Sequence, residues 1–582
     1  MKVTSGTSPK PPVRRPATPG RTVPRWFPAL LLGLSVVLLL GWFTPEIRDS
    51  DFWWHLKTGE YIWQNHALPA PDPFAFTTAR AAPAYPGEEM TRHFNLTHEW
   101  LSQVLFYAAY RTGGFAGMVL FRGALLAAFC ALAGLVTYRR AGGFYLPLAA
   151  AFATAGVATD FALDRPYLIT FLFLAATVAI LEYRRAMWLL PVLFLIWANC
   201  HGGYFLGWLA LGAYAAEALW ARWRMKPAAD NRVLWMASAA SFLISGANPN
   251  GFRVPQILLH YRSSYLTSRL LEWSPPRLWP PGEFTLLLAG AAVVLLWRRR
   301  EVRVVDWLLF AAFAAAALAA GRNTIFIGFL APVLIACYFP WKRNLPAPVQ
   351  WGAAALLLAG LGMGIGSGRF FQLRAAEWRY PRGAADFLLA HHVTGPLFNT
   401  YEYGGYLIWR LWPHQRVFID GRALSESLFL DYARILYNHD ESGGKSAQEL
   451  LDQYGIRTIV MNSFEYTGGL VYLLAPGLSD PLQQEWRLVY SEPSSMIFMR
   501  QPPEGVAPLD SLSVLDHMEA ECALHLEREP QYALCARGLG QVFARVGDRH
   551  RARRWIGIYL AHPHNPDPQA EQTYQRLVGA GQ

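Results

Sequence analysis

Asp49 and Asp51 stand two residues apart, directly after the first long apolar run, in the stretch EIRDSDFWWHLKTGEYIWQN that begins at Glu46. In an extended segment such residues share a face. One carboxylate of the pair can take a proton from an attacking hydroxyl or amide within hydrogen-bond reach. Alternatively, the two can hold a divalent metal, Mg or Mn, against a departing phosphate. We assign Asp51 the reacting role and Asp49 its support. The competing assignment is that Asp51 merely caps the helix that follows. That helix carries Trp53, Trp54 and Trp63 with Leu56 and Ile62, which suits a helix lying in a membrane interface, where aromatic rings sit at headgroup level.

The rest of the chain must hold these groups at a membrane surface. Of the 582 residues, 53% are hydrophobic and 16% charged, and mean hydropathy is +0.17. An average soluble domain is ~25% charged. One soluble core stops growing near ~250–300 residues, so a polytopic membrane protein with a soluble appendage is expected. The net charge of +11 lies largely at the ends of apolar runs, where it orients the chain in a bilayer; nucleic acid is not expected as a partner. Apolar runs at 26–43, 115–138, 144–160, 166–182, 187–200, 203–220, 233–247, 283–297, 304–320, 324–339 and 349–366 give about eleven spans. Basic clusters at Arg139–Arg140, Arg184–Arg185, Arg222 to Lys226, Arg298 to Arg303 and Lys342–Arg343 fall in every second loop. The N-terminus is then cytoplasmic and the C-terminal part lies outside the cytoplasm. The predicted divisions are a disordered basic arm (1–25), a transmembrane domain (26–370) with a first outer loop (44–114), an extracytoplasmic domain (371–505) and a helical tail (506–582).

A long first span, an acidic motif in the first outer loop and a juxtamembrane helix resemble the GT-C fold of membrane glycosyltransferases. Asp51-Phe52-Trp53-Trp54-His55 is similar to the corresponding stretch of oligosaccharyltransferases. Asp49 to Gly59 and Trp197-Ala198-Asn199-Cys200-His201-Gly202-Gly203 also resemble motifs of a bacterial membrane-protein subgroup. The resemblance implies a polyprenyl-phosphate-linked sugar as donor, membrane lipids around the chain, an acceptor outside the cytoplasm and a bacterial inner membrane as its place. It makes Asp51 the base for attack on the anomeric carbon, or with Asp49 a metal site; metal dependence stays open, because many GT-C enzymes work without one.

Other polar groups cluster on the outer side. Arg165 and Arg322 lie beside spans against the positive-inside trend, which is costly unless they are paired or used. A donor phosphate matches guanidinium geometry and would give both a partner; an ion pair with Asp160, Asp164 or Asp49 is the alternative. For binding the acceptor or sugar the candidates are His55, His98, Glu99, Asn199, His201, Glu272 and Trp273. His98 and Glu99 also suit a base or metal ligands, against a plain helix start capped by Thr97. Glu272-Trp273 could contact a sugar ring or anchor the interface.

From about 374 the composition is that of a soluble α/β or α+β domain. A helix is expected over 382–391, a strand over 395–400, apolar segments at 403–409 and 416–422, a helix at 445–454 and strands at 456–462 and 486–500. Asp420-Gly421-Arg422 is expected to be ordinary turn chemistry. The tail contains one helix pair that resembles a tetratricopeptide repeat and could dock a protein partner. A hairpin turning near residue 528 would put Cys522 and Cys535 at matching heights, as a disulfide or as two buried thiols. Competing functions are a lipid-linked glycan flippase, which should show inverted repeats, a non-catalytic envelope assembly protein, and an O-antigen-ligase-like enzyme.

Overall fold

The computed structural model describes residues 23–224, 231–265, 271–341, 345–437, 444–465, 469–530, 533–563 and 566–579. Most of the predicted arm, part of the basic cluster at 222–226 and all of that at 342–343 lie outside the described residues.

Every one of the eleven apolar runs is helical, because long runs of Leu, Ala, Val and Phe with few internal charges favour a structure that satisfies its own backbone in lipid. Among the described residues, the stretch 88–141 and the helices 321–338 and 347–366 are long and apolar enough to cross a membrane. Shorter apolar helices cover 27–42, 167–183, 189–200, 232–244, 283–297 and 304–319.

Four α-helices build the first quarter. α1 (Phe27–Trp42) packs on the helix Ala347–Gly366, with the rings of Phe27 and Trp351 4.6 Å apart. α2 (Asp51–Asn65) is the juxtamembrane helix. α3 (Glu88–Thr97) and α4 (Trp100–Ala141) follow, and α4 is broken at Gly114, where φ is 59°. A fully buried ion pair of Arg122 with Asp164, at 2.5 Å, ties α4 to the start of the helix Tyr167–Tyr183.

Two local expectations change. The aromatic residues of α2 are not an interfacial belt. Trp53 is buried and stacks edge-on against Tyr406, with ring centroids 4.7 Å apart, and Tyr380, at 5.3 Å. The helix Tyr401–Leu411 covers α2 and takes these rings out of any lipid headgroup region; only Trp63 stays exposed. Thr97 likewise caps nothing. It ends α3 and donates to the His93 carbonyl at 2.7 Å, leaving His98 and Glu99 in the joint between two helices.

The C-terminal α/β domain contains a four-stranded mixed sheet. β1 (Leu397–Asn399) runs parallel to β2 (Thr458–Met461); β6 (Ser495–Met499) pairs antiparallel with β2 and with β5 (Arg487–Glu492), giving the order β1-β2-β6-β5. β3 (Phe464–Glu465) and β4 (Leu470–Val471) form a separate ribbon. The segment 403–409 is part of the helix Tyr401–Leu411, with Thr400 ahead of it in extended conformation. Ser446 and Glu449 form a capping box for the helix Ala447–Gln453.

The tail folds as helices Ser513–Arg528, Leu534–Arg545, Arg549–Ala561 and Pro568–Gly579. Cys522 and Cys535 are joined by a disulfide, with Cα atoms 5.7 Å apart. The tail docks on the α/β domain, where Glu521 accepts the Ser463 amide at 2.9 Å, and on the first loop, where buried Glu529 accepts from Arg48 at 3.2 Å.

Candidate active site

The site begins at the joint between α1 and α2. Asp49 Oδ1 accepts the Asp51 amide at 3.2 Å, so Asp49 orders the start of α2, and Asp51 is the first residue of that helix. A negative side chain there is favoured by the helix dipole. Arg165, fixed ahead of Pro166 and the helix Tyr167–Tyr183, reaches both aspartates. Its Nε and Nη2 donate to Asp49 at 2.5 and 2.9 Å, and Nη2 stands 3.0 Å from Asp51 Oδ2. Its Nη1 is 3.6 Å from Glu272. Glu272 in turn pairs with Arg322 at 3.4 Å, and the Arg322 guanidinium lies over the Trp273 ring at 4.6 Å. The short turns that carry Glu272 and Arg322 are stitched by the Gly321 amide donating to Ser274 at 2.8 Å.

Asp49, Asp51, Arg165, Glu272, Arg322 and Trp273 therefore form one alternating chain of charge. Of the partners considered for Arg165, Asp49 takes it, while Asp164 is spent on Arg122. Asp49 and Asp51 do share a cation, but it is the Arg165 guanidinium. With their facing oxygens bound to it, the pair does not fit a Mg or Mn ion in this arrangement.

The two carboxylates differ in their proton affinity. Burial pushes Asp51 up to about 7; Arg165 opposes this and the Asp49 charge adds to it. Burial acts on Asp49 too, but Arg165, by charge and hydrogen bonds, holds it below the ordinary value. Two neighbouring carboxylates with separated pKa values are a mark of functional sites.

A second group surrounds Glu99. His98 Nε2 is 3.3 Å from Glu99 Oε1, His201 Nε2 3.8 Å from the same oxygen, and His55 Nδ1 3.8 Å from Oε2. Burial depresses His55 to about 4 and His201 to about 3. Burial works to raise Glu99, yet His98 and the other imidazoles bring it down to about 2.

Glu272, Trp273 and Arg322 of the first group and His98, Glu99 and His201 of the second line one cavity of about 500 Å³, with Trp54 and Gly421; Asp49, Asp51 and Arg165 lie behind this wall. Asn199 does not line the cavity. Its amide donates to the Leu195 and Ala247 carbonyls at 2.9 Å and its oxygen accepts from Trp100 Nε1 at 2.8 Å, beside a separate open hollow. His55 lies behind the wall, buried against Gln103.

The C-terminal α/β domain supplies what the sequence did not mark. Arg422 is buried and ion-paired with Asp72 at 2.7 Å and Asp420 at 2.6 Å. This clamp joins the first outer loop to the turn Asp420-Gly421-Arg422. Gly421 is pressed against the site: a Cβ there would lie 2.0 Å from Asp51 Oδ1. Tyr401 donates to the Gly421 carbonyl at 3.2 Å. The only sequence signals were Pro71-Asp72-Pro73 and Asp420-Gly421-Arg422, each of which also reads as a plain turn. Removing one partner of a buried pair leaves charge uncompensated, at a cost of about 3–5 kcal/mol. Arg422→Ala is therefore expected to lower the Tm of the purified protein markedly. An unchanged Tm would mean that the clamp holds nothing.

These elements assemble into the fold of the oligosaccharyltransferases, the GT-C architecture. A crystal structure of the Archaeoglobus fulgidus oligosaccharyltransferase tethered to an acceptor peptide matches with a TM-score of 0.52 at 10% identity, covering 82% of this chain and 74% of that one. The Archaeoglobus fulgidus oligosaccharyltransferase AglB in complex with an inhibitory peptide and a dolichol-phosphate matches with a TM-score of 0.51 at 10% identity, covering 84% and 77%. No protein-family model matches the sequence, and no curated protein matches it.

Proposed function

We propose that this chain is a GT-C-type membrane glycosyltransferase that moves a sugar from a polyprenyl-phosphate carrier to an acceptor outside the cytoplasm. The observation that carries this proposal is Asp51, with a proton affinity near neutrality, set between Arg165 and Gly421 behind a cavity whose wall carries Arg322 and Trp273. The fold shared with an enzyme solved in complex with a dolichol-phosphate supports the donor class.

In this mechanism the acceptor hydroxyl or amide loses its proton to Asp51 Oδ as it attacks the anomeric carbon, and the carrier phosphate leaves with the bonding electrons. Arg322 meets the phosphate: among the described residues it is held by the half-exposed Glu272 and by the face of Trp273. Arg165 is committed to Asp49 and Asp51 and acts on the donor through their position. His98, Glu99 and His201 line the acceptor or sugar side. The chain crosses a bacterial inner membrane about eleven times, N-terminus inside and outer domain outside. The tail disulfide suits that side, because disulfides persist in oxidising compartments. The tail remains the surface we assign to a protein partner.

The test is transfer of radiolabelled sugar from polyprenyl-phosphate donors in membranes containing this protein, against membranes without it. Equal transfer in both, over a panel of donors and acceptors, sinks the proposal. The pH dependence is a sharper check. A general base works deprotonated, so kcat should rise with pH through about 7, following Asp51, and fall tenfold per unit well below it. A flat profile between pH 5 and about 8 would remove Asp51 as the titrating base.

A further inference from the structure

We propose that His98, Glu99 and His201 form a divalent transition-metal site, of Zn2+ type, on the cavity wall away from Asp49 and Asp51. Each residue offers one ligand atom, and the three atoms lie within 4.8 Å of one another.

The arrangement of His98 carries the argument. Its Nδ1 lies 2.7 Å from the Phe94 carbonyl oxygen. A carbonyl can only accept, so Nδ1 holds its hydrogen, and the neutral ring turns a bare Nε2 lone pair toward Glu99. The facing Glu99 oxygen is 3.3 Å away. Two acceptors at that distance need a positive species between or beside them, either a proton or a metal ion. The ring cannot turn aside, because it is stacked on Phe94 with centroids 4.0 Å apart. A backbone carbonyl that fixes the far nitrogen of a histidine is the usual outer support of a metal ligand.

The spacing suits a small tetrahedral ion. With metal–ligand bonds of ~2.0–2.2 Å, the edges of a tetrahedron are ~3.3–3.5 Å. The observed separations from Glu99 Oε1 are 3.3 Å to His98 and 3.8 Å to His201, so a slight closing completes three ligands. Two imidazoles and a carboxylate are a donor set that Zn2+ takes. Thr170 Oγ1, 2.8 Å from His201 Nδ1, can accept its hydrogen, but the Gly203 amide also points at that nitrogen from 3.0 Å and must turn away. His98 and Glu99 are thus the stronger pair and His201 the closing ligand. The fourth position faces the cavity, where a water or an anionic oxygen could complete the shell.

The experiment uses the full-length protein in detergent, stripped of metal and titrated with Co2+, a spectroscopic stand-in for Zn2+. We expect one Co2+ per chain with the strong visible absorption of a low-coordinate site, displaced by Zn2+. His98→Gln and Glu99→Gln should each weaken Co2+ binding more than about 10-fold. Asp51→Asn should leave the spectrum unchanged. Absence of stoichiometric Co2+ in the wild type overturns the proposal, as does binding that survives Glu99→Gln in protein that still elutes as one species. Loss of binding in Asp51→Asn would assign the ion to the aspartates and also overturn it. If His98→Gln fails to fold, Glu99→Gln decides alone, and if both fail, His201→Gln decides. The readout does not involve sugar transfer, so this proposal and the glycosyltransferase proposal fail separately.

Discussion

Asp51→Asn is expected to cut sugar transfer by ~10²–10⁴-fold while expression and membrane insertion stay intact. The exchange keeps shape and leaves Arg165 bonded to Asp49 at 2.5 and 2.9 Å, so the charged scaffold stands. What disappears is the one carboxylate of the pair whose proton affinity is near neutrality. Asp49 cannot substitute: it is held ionised by Arg165 and engaged with the Asp51 amide, which makes it a weak and occupied base. The measurement is initial rate in membranes with matched protein levels. Retention of most of the wild-type rate would eliminate Asp51 as the base.

Gly421→Ala is expected to cost ~10²-fold in transfer, although residue 421 touches no substrate in the proposed mechanism. The added methyl would overlap Asp51 Oδ1 and approach Trp54 Nε1 to 3.2 Å. Backbone relief is blocked, since Arg422 is clamped by Asp72 and Asp420 and the Gly421 carbonyl is held by Tyr401. The carboxylate must therefore move, and a displacement of ~1 Å at a reacting group suffices for such a loss. A purely structural defect would not move the pH profile. Here the profile should move. Arg165 lowers the Asp51 pKa, so a carboxylate pushed off its 3.0 Å contact should titrate higher, and the acid limb should shift upward from about 7. Wild-type rate with an unshifted limb would show that the turn does not press on Asp51.

The helical part was legible in the sequence because each apolar run is bounded by charge or by Gly and Pro, and composition alone then dictates a helix. Asp49 and Asp51 stand out by their place after the first run, and Arg165 and Arg322 by their position against the charge rule; the structure brings these four into one chain of charge. The packing of Trp53 and Trp54 was not legible. An aromatic row beneath a folded domain and one in a headgroup layer have the same spacing, and the helix that decides between them starts at Tyr401. The role of Gly421 was hidden for the same reason. Asp-Gly is common in turns, and the contact that gives it meaning spans about 370 residues of chain. Thr97-His98-Glu99 misled differently: a Thr followed by an acid looks like a helix start, yet here one helix ends before another begins.

The Asp72–Arg422 clamp has a consequence for biosynthesis. Asp51 leaves the ribosome early, with Arg165 and Arg322 following as insertion proceeds, whereas the wall against Asp51 arrives only with residue 421. A nascent or truncated chain would thus carry the reacting carboxylate without the surface that positions it. Under the proposed function, partial products would stay silent, and competence would arise in one step, when the C-terminal domain folds down and Arg422 finds Asp72.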